Sequence, residues 1–127
     1  SVLPMLRIKR VALESALQVS KHVYPNEFIA LFKRSRKDAQ LLEELIIAPL
    51  GEYHETSSSF PLLMMPTDPL YAATFHSHPS GAPRPSEADL YFFSRHYYYH
   101  FISASPYTKD STRAYDKQGR QVQFSVV

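Results

Sequence analysis

The stretch HSHPSGAPRPSEAD, residues 76–89, contains the residue types and spacings most suited to chemistry. In a β-strand the residues i and i+2 point to the same face, so His76 and His78 would lie side by side. A proline follows at once and would end that strand, and a stiff proline-rich loop then leads to Ser86. Asp89 would lie one helical turn after Ser86, on the same side of a helix that begins there. From that position its carboxylate could point back at both imidazoles.

Two histidines and one carboxylate form a ligand set of catalytic zinc. Three protein ligands leave a position for water, whose pKa the cation lowers to about 7, and the cation also polarises a substrate carbonyl. A further carboxylate, which is not a ligand, would have to accept the proton of that water. Each half of the pattern also has a structural interpretation, because isolated histidines are often surface residues and Ser-x-x-Asp resembles a helix capping box. The combination across a short rigid loop favours a metal site.

A strand must present the histidines and a helix must present the carboxylate, and the local patterns predict both. Residues 70–78, LYAATFHSH, alternate as in a strand, and SEADLYFFSRHYY predicts a helix beginning at Ser86. Helical periodicity also runs from Val11 to Tyr24. The apolar run EFIALF, residues 27–32, has the length of a strand and predicts a buried central strand.

The order of these elements predicts the fold class. The other strand-like segments are short: 4–8, 41–50, 60–66, 99–107, 112–116 and 120–126. The last two flank KQG and predict a closing hairpin. Strand, helix, several strands, helix and further strands indicate an α/β fold in which a mixed sheet is sandwiched by two main helices. There is no internal repeat, low-complexity tract or linker, so residues 1–127 are expected to form a single domain.

The composition excludes several classes of function. The chain has 127 residues, 44% hydrophobic and 20% charged, with a formal net charge of +2. These values are typical of a soluble globular protein and predict no affinity for nucleic acid. The absence of cysteine excludes disulfides, thiolate metal ligands and a cysteine nucleophile. No apolar run approaches the roughly 20 residues that span a bilayer, and the first residues do not resemble a signal peptide. We therefore expect a cytoplasmic protein with no membrane partner.

The stretch HSHPSGAPRPSEAD resembles the JAMM motif of the JAB/MPN metalloprotease family: His-x-His, seven residues, Ser, two residues, Asp. The spacing between His78 and Ser86 is the required seven residues, and Asp89 follows at the required offset. The family also has a glutamate just after the first helix, and YPNEFIALF places Glu27 there. The resemblance covers nearly the whole chain and is to the minimal archaeal members. It implies the MPN fold, whose architecture is similar to that of the cytidine deaminases.

The resemblance also implies a role for each residue of the motif. His76, His78 and Asp89 would bind one zinc ion per chain. Glu27 would act as general base towards water and then as general acid towards the leaving amine. Ser86 would donate a hydrogen bond to the tetrahedral oxyanion. Glu27 is selected only by the need for a base and by the family pattern, because a glutamate at the start of a strand is ordinarily a surface residue.

The resemblance further implies a substrate class. JAMM proteases commonly hydrolyse the isopeptide bond between a ubiquitin-like C-terminus and a lysine, and in archaeal members the modifier ends in Gly-Gly. The insertion that binds the tail as an added strand precedes the His-x-His strand, which here points to residues 57–69. Candidate walls for the tail, equally consistent with ordinary sheet core, are Phe60, Leu63, Met64 and Met65.

Three alternatives to an isopeptidase remain open from the sequence. The chain could trim a ubiquitin-like sulfur-carrier protein to expose its Gly-Gly end, it could be a non-catalytic MPN scaffold, or it could be a relative of DNA-repair-associated JAB proteins. The retained ligands argue against the scaffold, and the modest charge argues against the DNA-repair relative. The expected partners are a ubiquitin-like modifier and its conjugates, and a homodimer is left open.

Four further features have simpler interpretations. Ser77, between the two histidines, is expected either to pack within the sheet or to form a hydrogen bond that supports the ligands. The basic cluster KRSRK, residues 33–37, is expected to be a solvated loop, although it could steer an acidic modifier. The aromatic run YFFSRHYYYHF is expected to pack in the core. His96 and His100 would suit a helical metal pair only if the helix continued past His96.

Overall fold

The structure, a computed structural model, describes residues 5–47 and 67–127. The strands are β1 (Leu6–Ile8), β2 (Ile29–Arg34), β3 (Leu41–Ile47), β4 (Tyr71–His78), β5 (Tyr99–Ala104), β6 (Thr112–Asp116), β7 (Gln121–Val122) and β8 (Phe124–Val126). The helices are α1 (Arg10–Val23) and α2 (Glu87–Arg95), and a short 3-10 helix, Lys109–Ser111, precedes β6. The predicted strand at 60–66 lies outside the described residues.

The eight strands form one sheet in the order β7-β6-β5-β4-β2-β3-β1-β8. β1 runs parallel to β3 and β8, and β4 runs parallel to β5, whereas the other neighbours are antiparallel. The predicted mixed α/β sheet is therefore confirmed. β2 is central and its first four residues are buried, as expected for the apolar run that forms it.

The predicted closing strand, residues 120–126, is wrong in one respect, because it is two strands rather than one. β7 completes the hairpin with β6, where Ala114 pairs with Val122. β8 instead runs parallel to β1 at the opposite edge of the sheet, where Leu6 pairs with Phe124. Only Gln123 separates β7 from β8 in the chain, so the two edges of the twisted sheet nearly meet and the sheet approaches a closed barrel.

Two apolar clusters cover the central strands. The first joins the buried face of α1 to Ala30 and Phe32 of β2. The second joins Phe92 and Phe93 of α2 to alternate residues of the same strand. Alternation between clusters explains why the first four residues of β2, Ile29 to Phe32, are all apolar. A full sandwich and the likeness to cytidine deaminases stay predictions.

The helix boundaries follow the local sequence closely. α1 begins one residue earlier than predicted and ends just before Tyr24. α2 begins directly after Ser86, which is its N-cap, and ends before His96, whose backbone is extended. His96 and His100 are therefore not on one helix, and the helical metal pair is lost. No helix within residues 5–47 and 67–127 is long and apolar enough to cross a membrane.

Candidate metal centre

The two predicted histidine ligands lie at the carboxyl end of β4. His76 is held from both sides, because its register partners are Ile29 of β2 and Ile102 of β5. Its exposed fraction is 2%, whereas the side chain of His78, the last residue of the strand, is 17% exposed. The strand thus presents one buried and one more accessible imidazole at its end.

Asp89 is aimed at both histidines by the first turn of α2. The backbone N–H of Ser86 donates to Asp89 Oδ2 at 2.9 Å, and the backbone N–H of Asp89 donates to Ser86 Oγ at 3.1 Å. This reciprocal capping box fixes the buried carboxylate. Asp89 Oδ1 lies 4.0 Å from His76 Nδ1, and Asp89 Oδ2 lies 3.7 Å from His78 Nε2. The structure therefore brings the three predicted ligands together.

The chemistry of this donor set fits a zinc ion. Both ring nitrogens of His76 are buried and have no hydrogen-bond partner, although buried polar atoms are normally paired. Burial lowers the pKa of His76 to about 4, Asp89 opposes this change, and His78 adds to it. The imidazole is therefore neutral at pH 7, which is the form that binds a metal.

The spacing of the donors shows how far the side chains must move to bind an ion. Tetrahedral zinc with bonds of about 2.0–2.1 Å separates neighbouring ligand atoms by roughly 3.4 Å. The observed separations of 3.7 and 4.0 Å are a few tenths of an ångström longer. Within residues 5–47 and 67–127, no group of three or more histidine, cysteine, aspartate or glutamate side chains is arranged to hold a metal ion as it stands.

Glu27 is buried, with an exposed fraction of 3%, and is not the solvated residue that its position would ordinarily suggest. The residue that follows it, Phe28, is fixed to β4 twice. The N–H of Phe28 donates to Ser77 Oγ at 2.7 Å, and the N–H of Ser77 donates to the carbonyl of Phe28 at 2.9 Å. Ser77 lies between the two histidines, so these bonds hold Glu27 at the same end of the sheet as the ligands.

Ser86 combines a structural and a chemical role. Its Oγ accepts the hydrogen bond from the N–H of Asp89, which leaves its hydroxyl hydrogen available to donate elsewhere. The residue is exposed, so a bound substrate could reach it. Candidate metal ligands, a buried carboxylate and a hydroxyl donor are the groups that metal-assisted hydrolysis of a carbonyl would use.

Comparison with known proteins identifies the family. A model of the prokaryotic homologs of the JAB domain matches residues 9–116, which include Glu27 and the whole histidine-to-aspartate stretch. The chain belongs to the JAMM/MPN family. A probable metalloprotease from Haloferax volcanii is 31% identical over 115 residues, which cover 85% of this chain and 71% of that protein. The expected family membership is confirmed, and a metallo-hydrolase is supported.

Two solved JAMM/MPN structures resemble this chain over nearly its whole length. One, described as a metalloprotease-like zinc site in the proteasome and signalosome, is 33% identical with a TM-score of 0.72, covering 98% of this chain and 99% of its own. A JAB1/MPN domain protein from Archaeoglobus fulgidus is 32% identical with a TM-score of 0.73, covering 98% and 100%. A Desulfitobacterium hafniense protein, at 16% identity and a TM-score of 0.67, shares the fold alone.

The contacts of two residues near this JAMM/MPN site were not predicted from the sequence. The Tyr115 hydroxyl donates to the carbonyl of Pro83 at 2.6 Å and so anchors the loop between the ligands. His100 is fully buried, lies 2.7 Å through Nδ1 from Thr74 Oγ1, and stacks on Phe93 with ring centroids 4.0 Å apart. Burial above all lowers its pKa to about 3. No local pattern distinguishes such residues, because their partners are distant in sequence.

The remaining predicted residues lie elsewhere. The candidate walls for a substrate tail, Phe60, Leu63, Met64 and Met65, lie outside the described residues. The basic cluster at 33–37 is at the end of the sheet opposite the metal centre, because Ile29 pairs with His76 while Lys33 pairs with Tyr71. Its position gives no direct contact with the site.

Proposed function

We propose that this chain is a zinc-dependent isopeptidase that hydrolyses the bond after the C-terminal Gly-Gly of a ubiquitin-like modifier. One zinc ion per chain would be held by His76, His78 and Asp89. The observation that carries the proposal is the convergence of these three side chains at the end of β4, together with a buried Glu27 whose neighbour Phe28 is bonded to Ser77 between the histidines. In a cluster with only a structural role, the two buried ring nitrogens of His76 would be expected to have hydrogen-bond partners, and they have none.

Each side chain has a separate role in the proposed hydrolysis. When bound, zinc supplies Lewis acidity that lowers the pKa of a water molecule and polarises a carbonyl. Glu27 accepts a proton from the attacking water and delivers it to the lysine nitrogen as the C–N bond breaks. Ser86 donates to the oxygen that gains negative charge as the C–O bond forms. The products are a carboxylate on the modifier and a free amine, and Glu27 returns to its starting state.

The substrate class rests on the family resemblance together with the chemistry of the site. The metallo-hydrolase machinery acts on a carbonyl and has no inherent preference for an isopeptide over a peptide bond. Support for a Gly-Gly-ended modifier comes from the likeness to the minimal JAMM proteases. We accordingly propose modifier conjugates as the partners, and a homodimer stays a prediction.

A cleavage assay tests the proposal directly. The purified protein is incubated with a Gly-Gly-lysine isopeptide conjugate, with and without a chelator, and after zinc is restored. Glu27→Gln should lose about 10²–10⁴-fold in rate while keeping one zinc ion per chain, measured by elemental mass spectrometry. Glu14→Gln is the matched control, because Glu14 is an exposed residue of α1 whose Oε1 lies 3.8 Å from Nη1 of Arg10, so the same change of charge is made at a surface ion pair. Equal rates for Glu27→Gln and the wild type would refute the assigned base.

A linear fusion tested in parallel separates the alternatives. Cleavage after Gly-Gly of the linear fusion but not of the isopeptide conjugate would indicate trimming of a sulfur-carrier precursor. Failure to cleave either substrate, with zinc fully bound, would indicate a scaffold. Retention of all three ligands and Glu27 in the sequence argues against that last outcome.

A further inference from the structure

Tyr107 lies beside the metal centre, in the turn that follows β5. The N–H of Ser105 donates to the carbonyl of His78 at 3.3 Å, so this turn passes the end of β4. The N–H of Tyr107 donates to the carbonyl of Ala104 at 2.8 Å and closes the turn. The exposed fraction of Tyr107 is 2%, and its ring belongs to the cluster packed against α1.

The phenol of Tyr107 is an anomaly in this cluster. Its hydroxyl oxygen is buried and has no hydrogen-bond partner. A buried hydroxyl without a partner is destabilising, and such groups in folded proteins call for an explanation. The backbone of Tyr107 also has φ of +61°, a conformation that residues other than glycine rarely adopt. Two unfavourable features at one residue beside a reactive site suggest a functional reason for both.

The surroundings of Tyr107 include the segment that leads to Glu27. Its ring lies 6.4 Å from that of Tyr24, centroid to centroid, at an interplanar angle of 62°. Tyr24 is three residues before Glu27 in the chain, so this ring contact places Tyr107 against the segment that carries the base. Phe28, the residue after Glu27, belongs to the same core cluster as Tyr107. Burial raises the pKa of Tyr107, and the charges of Tyr24 and Glu27 raise it further, so the phenol keeps its proton and can only be a donor to a nearby carboxylate.

We propose that Tyr107 is a positioning residue for Glu27, whose ring holds the segment around the base and whose hydroxyl donates to the Glu27 carboxylate in the loaded site. This inference rests on the proposed role of Glu27 as general base. The hydroxyl gains its partner when the ligands draw together, and the carboxylate is then oriented for proton transfer. On this proposal Tyr107 acts through Glu27 and not on the substrate.

The variant Tyr107→Phe removes the hydroxyl and keeps the ring. We expect kcat for the isopeptide conjugate to fall by about 10–100-fold, the value of a lost hydrogen bond to a charged group, with KM within about twofold. The midpoint of thermal unfolding should stay the same or rise, because an unpaired buried hydroxyl has been removed. Tyr98→Phe is the control, since Tyr98 is 61% exposed. An unchanged kcat would overturn the proposal, whether or not the midpoint of thermal unfolding falls.

A second measurement is independent of turnover. In the zinc-loaded chain labelled with ¹³C at the tyrosine Cζ, the Tyr107 resonance is assigned by its absence from Tyr107→Phe. Glu27→Gln should shift this resonance, and Glu14→Gln should not. If the chemical shift of Tyr107 Cζ is the same in Glu27→Gln and in the wild type, the inference is refuted, whichever substrate the enzyme cleaves. If the resonance shifts but neither substrate is cleaved, the proposed function fails and the contact between Tyr107 and Glu27 stands.

Discussion

The two roles assigned to Ser86 can be separated by comparing alanine with glycine at that position. Both substitutions remove the hydroxyl, and with it the donor to the oxyanion. They differ in the helix cap: alanine is a poor N-cap, whereas glycine is nearly as good as serine. The backbone N–H of Ser86, which donates to Asp89 Oδ2 at 2.9 Å, is retained in both variants. Zinc binding through Asp89 should therefore survive in both.

The structure gives different magnitudes for the two roles. Losing the 3.1 Å bond from the N–H of Asp89 to Ser86 Oγ should cost Ser86→Ala about 1 kcal/mol of unfolding free energy, and Ser86→Gly only a few tenths. In a domain of this size, 1 kcal/mol corresponds to about 4 °C in the unfolding midpoint. Loss of an oxyanion donor should lower kcat by about 10²–10³-fold, equally in both variants.

Steady-state kinetics on the isopeptide conjugate, thermal unfolding and zinc content together test this reasoning. Ser86→Ala and Ser86→Gly should share one low kcat while differing in stability, with KM and zinc content close to wild type. Ser86→Thr keeps both the hydroxyl and the cap, so most activity should remain. If kcat instead followed stability across the three variants, Ser86 would be a helix cap and nothing more.

Three further substitutions test other contacts. Ser77→Ala leaves the buried N–H of Phe28 without its 2.7 Å partner, so unfolding in denaturant should show a loss of about 1–3 kcal/mol, and kcat should fall because Glu27 is loosened. Tyr115→Phe breaks the 2.6 Å bond to the carbonyl of Pro83, and competition with a chelator should show zinc affinity reduced several-fold; unchanged affinity would mean that the loop needs no anchor. His100 has a pKa of about 3 when folded and about 6.5 when unfolded, so the unfolded state binds an extra proton between these values. The free energy of unfolding therefore decreases as the pH is lowered through this range, by up to about 1.4 kcal/mol per pH unit. Denaturant unfolding across that range should show a shallower slope in His100→Gln, and an equal slope would contradict burial as the cause.

The arrangement of the ligands was predictable because it depends on local geometry. The alternation of a strand puts His76 and His78 on one face, and one helical turn joins Ser86 to Asp89. Both relations are fixed within a few residues of sequence, and the structure reproduces them. Glu27 has no such local relation to the histidines and Asp89, and only the need for a base together with the likeness to a known family selected it.

Contacts between distant segments were not predictable in the same way. The apolar alternation through Val122, Phe124 and Val126 is the same whether the strand is continuous or is divided at Gln123. The division follows from the curl of the whole sheet, which brings β6 and β1 close enough for neighbouring residues to pair with each. A period of two in the sequence specifies which face is buried but not which strand lies alongside.

The capping box links the stability of α2 to the chemistry of the site. An aspartate buried beside two imidazoles would ordinarily be costly, because its polar atoms have left water. Here the N–H of Ser86 donates to Asp89 Oδ2, so that oxygen has a hydrogen-bond partner inside the protein. The same bond begins the helix, so any movement that disturbs the ligand also unwinds the first turn. Asp89 therefore has few orientations open to it, and both of its separations from the imidazoles are set by the start of α2.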